Sequence, residues 1–175
     1  MEKMSEVIER LSKAIKNGNR AYWICPLIEE SDKLDAEAAE DRYKVLMQLL
    51  PEANPVLAHG KMKSNERDIA MQAFQSGKSQ LLVATTVVEV GVDIPEAGII
   101  IIENAERFGL AQLHQLRGRV GRGDIQSSCL LLYQSPLSTT TKSRLDIMRQ
   151  TNNGFLIAEE DLRLRGPGEV LGKRQ

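Results

Sequence analysis

Three apolar runs decide the fold of this chain: QLLVAT (80–85), GIIIIEN (98–104) and SSCLLLYQ (127–134). Such runs lack the alternation of apolar and polar residues that a half-exposed strand shows. They are typical of strands covered on both faces, as in a parallel sheet. RAYWICPLI (20–28) and PVLAH (55–59) predict two further strands. We therefore expect an α/β fold with an open, mainly parallel sheet and helices on both faces.

Helical patterns alternate with these strands. The first covers residues 4–18 and ends at Gly18 as a C-cap; the second covers 35–51 and stops at Pro51; the third covers 64–77, with Ser64 as N-cap and Gly77 after its end. After Tyr133 the alternation stops. Residues 138–155 and 156–166 predict two helices joined around Asn153 and Gly154, followed by the tail GPGEVLGKRQ (166–175). We expect a main domain over 1–135 and a helical hairpin with a loop over 136–175.

The composition is that of a globular domain. The chain has 175 residues, 42% of them hydrophobic, which excludes disordered and collagen-like proteins. The longest apolar stretch falls far short of the ~20 residues of a membrane-spanning helix. Cys25 and Cys129 lie inside apolar runs, so we interpret both as core residues in a reducing compartment and expect a cytoplasmic protein.

Charge is distributed unevenly along the chain. The net charge of -1 alone argues against a nucleic-acid-binding protein. However, residues 29–41 carry seven acids and one lysine, and the part of this segment before the second helix predicts an acidic loop. Basic residues with few acids nearby occur elsewhere, at Lys61, Lys63, Arg67, Arg117, Arg119 and Arg122.

No self-contained catalytic motif is present. Gly77-Lys78-Ser79 resembles the end of a phosphate-binding loop, but that motif requires a glycine where Gln72 stands. Metal ligands are not clustered, so we expect no metal held by this chain. His59 and His114 are isolated in the sequence, and a hydrogen-bonded structural role is the default for both.

The segment QLHQLRGRVGRG (112–123) combines three arginines with three glycines and has no acid. Arginine binds phosphate oxygens through a planar pair of donors, and glycine lets the backbone approach an anion closely. A solvated basic helix face is the alternative, but the glycines would weaken such a helix. The pattern favours a phosphate site.

Three segments carry a resemblance to superfamily 2 helicases. Residues 115–122 match the sixth motif, Q-x-x-G-R-x-G-R; residues 81–97 resemble the fifth motif; residues 59–74 resemble the H-G-x-M-x-x-x-E-R element before it. The order and spacing agree as well. Residues 8–35, 107–123 and 161–175 are further similar to the RecG family of bacterial branched-DNA helicases.

The RecG resemblance implies a second RecA-like motor domain followed by most of a translocation motif. Its expected partners are the first RecA-like domain, the wedge domain and branched DNA such as stalled forks and Holliday junctions. By itself, this chain is then expected neither to hydrolyse ATP nor to unwind DNA. Three alternatives remain: the motor domain of the transcription-repair coupling factor, a non-enzymatic nucleic-acid-binding module, and a DEAD-box RNA helicase half. RGPGE (165–169) argues against the last.

The resemblance also assigns residues to ATP with Mg²⁺, bound between the two motor domains. Arg122 matches the arginine finger and Arg119 a second phosphate contact, while Gln115 helps to organise the interface. Gly91 and Asp93 fit a nucleotide contact, although Asp93 could instead cap the turn before Pro95.

Other residues are assigned by resemblance to DNA. Thr85 and Thr86 match contacts to the nucleic-acid backbone. Gly60, Lys61 and Arg67 are weaker candidates for the same contacts, and for Arg67 a surface ion pair is equally expected. In the hairpin, Arg144 and Arg165 match residues that tie it together, and Gln175 matches a loop residue that meets DNA. Ordinary surface ion pairing is the alternative for both arginines. Tyr22 and Trp23 alternate on a strand, so we expect one of them in the core.

Overall fold

The computed structural model describes residues 2–27, 31–85, 94–121 and 124–165. Within these ranges the chain forms one five-stranded sheet. The strands are β1 (Arg20–Cys25), β2 (Val56–Ala58), β3 (Leu81–Thr85), β4 (Ala97–Ile102) and β5 (Ser128–Leu131). Their order across the sheet is β2-β3-β1-β4-β5, and every neighbouring pair is parallel. The predicted fold class is confirmed.

Helices connect and cover the strands. They are α1 (Glu2–Lys16), α2 (Asp32–Leu49), α3 (Ser64–Gln75), α4 (Leu110–Arg117), α5 (Thr139–Gln150) and α6 (Gly154–Arg165), with short 3₁₀ turns at Pro51–Ala53 and Ala105–Arg107. The predicted hairpin is present as α5 and α6. None of the helices in the described ranges is long and apolar enough to cross a membrane.

The sheet separates two apolar layers. Alternate residues of β1 contribute to different layers: Trp23 packs with residues of α1 and α2, whereas Tyr22 packs with residues of α3 and α4. Tyr22 also meets Phe74 of α3 edge-to-face, with 5.2 Å between ring centroids. Because both faces are covered, both aromatic residues are buried. The sequence predicted one of them in the core, and the structure places both there.

The hairpin shares the core of the main domain. Leu145 and Met148 of α5 and Ile157 of α6 belong to the same buried cluster as Leu110 and Leu113 of α4. Burying these side chains against α4 removes apolar surface from water, which stabilises the hairpin on the sheet. The predicted domain boundary between residues 135 and 136 stays a prediction. Side chains from both sides of it belong to one buried cluster.

Two helix starts differ from the sequence-based expectation. Helix α2 begins at Asp32, where the Ser31 side chain accepts a hydrogen bond from the Leu34 backbone nitrogen at 3.4 Å. The helix therefore starts three residues before its predicted start at Asp35, and of the clustered acids only Asp32 moves from the predicted loop onto α2. Ser64 is the first residue of α3 and not its cap, since Lys63 takes the extended N-cap backbone. Gly18 closes α1 as predicted, with φ of 90°.

Candidate functional site

The carboxyl ends of the five strands lie at one edge of the sheet, which we call the carboxyl edge. Its strand ends are Cys25, Ala58, Thr85, Ile102 and Leu131. The chain leaves β1 toward β2 and leaves β4 toward β5, so the connections diverge between β1 and β4. In open α/β sheets this divergence opens a crevice where ligands bind.

A buried histidine shapes the turn after β2. His59 is 4% exposed, and its Nδ1 accepts a hydrogen bond from the Lys61 backbone nitrogen at 3.2 Å. Its Nε2 therefore carries the proton and donates to the Glu40 carboxylate at 3.2 Å. Gly60 and Lys61 are exposed at the tip of this turn. The expected structural role of His59 is confirmed. Its hydrogen bond with Lys61 fixes the backbone of the turn that carries two predicted DNA contacts, Gly60 and Lys61.

The predicted threonine pair is only partly described. Thr85 ends β3 and is 2% exposed, because it is the last residue of a strand covered on both faces. Its hydroxyl is therefore not presented to solvent in this structure. Thr86 lies outside the described residues, as do Gly91 and Asp93. Arg67 is half-buried on α3.

The carboxylate of Glu103, just after β4, accepts hydrogen bonds from two side chains. Trp23 Nε1 of β1 donates at 2.9 Å, and Arg42 Nε of α2 donates at 2.9 Å while a second Arg42 nitrogen reaches the other carboxylate oxygen. The Arg42 guanidinium also lies 5.8 Å from the centroid of the Trp23 ring. The sequence did not point to this cluster, although one acid directly after four isoleucines was an available signal.

The arginine segment forms a tight turn after α4, which we call the arginine turn (residues 118–121). The Arg119 backbone nitrogen donates to the Leu116 carbonyl at 3.0 Å, continuing the helical geometry. Gly121 has φ of 80°, and a Cβ there would lie 2.6 Å from Ser127 Oγ. Only glycine fits this position without strain. Gln115 is exposed on α4 and Arg119 is half-buried, whereas Arg122 lies outside the described residues.

The arginine turn does not lie at the carboxyl edge. Helix α4 starts after the carboxyl end of β4 and runs back toward the amino end of β5, where Gly121 meets Ser127. The neighbouring residue Gln126 packs against Gly98, near the amino end of β4. Lys61 and Arg119 therefore lie near opposite ends of the strands.

One arginine of the segment serves another purpose. Arg117 Nη1 donates to the Met148 carbonyl oxygen at 2.6 Å, and Nη2 lies 3.3 Å from His114 Nδ1. Arg117 thus connects α4 to the last turn of α5, and His114 has the hydrogen-bonded role expected of it. The grouping of Arg117 with the phosphate-binding arginines stays a prediction, and the structure shows that two of its guanidinium nitrogens have partners within the chain.

The two hairpin arginines make different contacts. Arg144 of α5 donates to the Phe108 carbonyl oxygen at 3.0 Å and to Thr141 Oγ1 at 3.2 Å. Its Nε is buried and has no hydrogen-bond partner among the described residues. Arg165 pairs with Asp161 on its own helix at 3.0 Å and is half exposed. Gln175 lies outside the described residues.

Burial suppresses the acidity of both thiols. It raises the pKa of Cys25 to about 12, with a further contribution from the nearby Glu103 carboxylate, and raises the pKa of Cys129 to about 11. Neither thiol is a nucleophile at neutral pH. Across the described ranges, no group of three or more His, Cys, Asp and Glu side chains could hold a metal ion.

Comparison with known proteins decides the family. Residues 2–124 match the helicase conserved C-terminal domain. The chain belongs to this helicase family. It is 56% identical to the ATP-dependent DNA helicase RecG of Escherichia coli K12 over 172 residues, which is 98% of this chain and 25% of that protein. RecG of Bacillus subtilis is 51% identical over 98% of the chain and 25% of its own length.

Solved structures agree on the fold of this helicase C-terminal domain. A structure of RecG bound to a three-way DNA junction superposes with a TM-score of 0.79 at 40% identity, covering 97% of this chain and 22% of that one. The Mycobacterium smegmatis helicase Lhr, bound to single-stranded DNA and AMP-PNP, has a TM-score of 0.59 at 19% identity, covering 82% and 19%. At that identity only the fold is shared. The chain thus spans about a quarter of the length of its RecG relatives.

Proposed function

We propose that this chain is the second motor domain of an ATP-dependent DNA helicase of the RecG type, acting in the bacterial cytoplasm. In this proposal the complete helicase, of which the chain is one domain, remodels stalled forks and Holliday junctions during recombination and repair. The observation that carries the proposal is the arginine turn, in which Gly118, Arg119 and Gly121 match the sixth helicase motif and Gly121 has a backbone conformation that requires glycine. The identity to RecG across 98% of the chain supports it.

On the ATP side, Arg122 is the proposed arginine finger and Arg119 the second phosphate contact. A guanidinium aimed at the transferring phosphoryl group stabilises its developing charge, and such a group is worth about 10³ to 10⁵ in rate. Gln115, which is exposed on α4, organises this surface. Gly91 and Asp93 contact the nucleotide. The first motor domain supplies the phosphate loop, and Mg²⁺ neutralises phosphate charge there.

On the DNA side, the exposed turn at Gly60 and Lys61 contacts the phosphate backbone. Such contacts fix position without reading sequence, as a translocating enzyme requires. Thr86 is the better threonine candidate, because Thr85 is buried at the end of its strand. Arg144 positions the hairpin, its hydrogen bond to Phe108 tying α5 to the segment before α4. Arg165 and Gln175 complete the proposed translocation motif, with Gln175 meeting DNA.

Separation of the two surfaces supports a motor rather than a simple binding module. Lys61 lies at the carboxyl edge, whereas Arg119 lies beyond the end of α4. A module that only bound nucleic acid would have no use for phosphate-binding arginines on a second surface. A motor needs both surfaces, because nucleotide and DNA must be held at once.

A chimera tests the proposal. The 172 matching residues of E. coli RecG are replaced by this chain, and DNA-stimulated ATP hydrolysis and fork unwinding are measured. We expect both activities. Arg122→Ala should lower ATP turnover by about 10³-fold or more while leaving junction binding nearly unchanged. Arg163→Ala, which removes an exposed pair on α6, is the control. A large loss of junction affinity in Arg122→Ala would contradict the finger assignment.

Two further comparisons separate the roles. The isolated chain should show no ATP hydrolysis, and turnover by it would refute the division of labour between two motor domains. Gln175→Ala in the chimera should keep much of the DNA-stimulated ATP hydrolysis and impair fork unwinding. Equal loss of both activities would remove Gln175 from the translocation step.

A further inference from the structure

Helix α2 makes polar contacts at two distant strand ends. Glu40 accepts a hydrogen bond from His59, after β2, and Arg42 pairs with Glu103, after β4. Residues two apart on an α-helix point about 200° apart, toward opposite sides. Helix α2 therefore spans the carboxyl edge from β2 to β4, across the intervening strands β3 and β1.

The contact at β2 controls backbone geometry in the turn. Glu40 accepts a hydrogen bond from the Nε2–H of His59. The Nδ1 of His59 then accepts a hydrogen bond from the Lys61 backbone nitrogen. Rotation of the imidazole would remove that acceptor from Lys61. The position of α2 thus determines how the exposed turn at Gly60 and Lys61 is held.

The contact at β4 controls the start of the segment that leads to α4. Glu103 is largely buried and binds Arg42 through both carboxylate oxygens. The chain then passes through the 3₁₀ turn at Ala105–Arg107 directly into α4, whose end carries the arginine turn. A shift of Glu103 with α2 would displace this short, well-packed segment.

We propose that α2 couples the DNA-contacting turn to α4, with Glu40 and Arg42 as positioning residues. Phosphate bound at Gly60 and Lys61 shifts the His59–Glu40 contact, and α2 passes that shift through Arg42 to Glu103. Packed elements transmit such small shifts because they move as rigid bodies between discrete arrangements. The inference rests on the proposed function for the identity of the ligand, whereas the connection through α2 stands on the contacts alone.

Trp23 provides a direct readout, because it is the single tryptophan of the chain and its indole donates to Glu103. The first test uses the chain without DNA and measures hydrogen exchange at the indole N–H by NMR. Glu40→Gln should change that exchange rate by about threefold or more. Glu37→Gln, which removes an exposed pair on the same helix, should not. An unchanged indole in folded Glu40→Gln protein would overturn the coupling, whatever the chain binds.

The second test measures affinity for a three-way DNA junction by fluorescence anisotropy. Glu40→Gln should weaken binding about two- to fivefold in the wild-type background and have no further effect in Lys61→Ala, because Glu40 acts through the Lys61 turn. Equal effects in both backgrounds would overturn the positioning role. Junction binding without any response of the Trp23 indole would refute the coupling and leave the proposed function intact. If Lys61→Ala bound the junction as tightly as the wild type, the result would instead count against the proposed function.

Discussion

Arg117 of α4 donates a 2.6 Å hydrogen bond to the Met148 carbonyl oxygen in the last turn of α5. A cation at a helix C-terminus satisfies a carbonyl that has no partner inside the helix and opposes the negative end of the helix dipole. Helix α4, which carries Arg117, ends in the arginine turn. The Arg117 side chain therefore joins the hairpin to that turn.

Removing this side chain should loosen the hairpin. Arg117→Ala is expected to lower the free energy of unfolding by about 1–3 kcal/mol, since it removes a charge-assisted hydrogen bond from a partly buried site. Amide hydrogen exchange in α5 should also become faster. Arg10→Ala removes an exposed pair with Glu6 on α1 and should cost less than about 0.5 kcal/mol. Equal effects of the two substitutions would show that Arg117 is an ordinary surface residue.

Gly121→Ala should destabilise the arginine turn more than Gly18→Ala destabilises the end of α1. Both glycines have positive φ, but a Cβ at Gly121 would also lie 2.6 Å from Ser127 Oγ, whereas nothing lies within 4 Å at Gly18. Backbone strain alone costs about 1 kcal/mol. Thermal unfolding of both variants tests the difference. Adding Ser127→Gly to Gly121→Ala should recover the part that is due to the clash, and failure to recover would place the whole cost in the backbone.

Glu103→Gln should leave Arg42 without its counter-charge. We expect a loss of about 1–3 kcal/mol, below the full cost for a completely buried pair because both side chains keep some solvent contact. The fluorescence of folded Trp23 should also change in this variant, because the indole donates to the same carboxylate. Glu6→Gln on the exposed face of α1 serves as control, and a similar small loss in both variants would contradict a structural role for Glu103.

The thiols predict how stability depends on pH. The pKa of Cys25 is raised to about 12 and that of Cys129 to about 11, from an ordinary value of 9.0. Above about pH 9 the unfolded chain loses thiol protons that the folded chain retains, so stability should fall as pH rises toward about 11 for Cys129 and about 12 for Cys25. Urea unfolding measured at a series of pH values checks the slope. Cys25→Ala should reduce the slope, and an unchanged slope would assign the pH dependence to other groups.

DNA-binding measurements distinguish the exposed candidate Lys61 from the buried candidate Thr85. Lys61→Ala should reduce the slope of log K against log salt by about one, because one phosphate contact is lost. Thr85→Val keeps the shape of a buried side chain and should leave the DNA affinity at a fixed salt concentration unchanged. A loss of affinity in Thr85→Val would mean that β3 opens at its end when DNA binds.

The order of strands along the chain, the parallel sheet and the hairpin were predictable from sequence, because apolar runs and helical periods are local patterns. Helix starts were less predictable. Ser31 and Ser64 are equally good caps by residue type, but only Ser31 caps its helix in the structure. The roles of His59 and Glu103 depend on partners 19 and 61 residues away, at Glu40 and Arg42. No local pattern carries such pairings.

By itself, the sequence determined the fold class and the register of the helicase motifs, since both are written in short spacings of residue types. Only the tertiary structure decided where those motifs lie. The direction of α4 carried Arg119 away from the carboxyl edge and turned Arg117 toward Met148. Coverage of both sheet faces buried Thr85 together with both aromatic residues of β1. Direction and burial depend on how elements pack, and packing joins residues that the sequence keeps far apart.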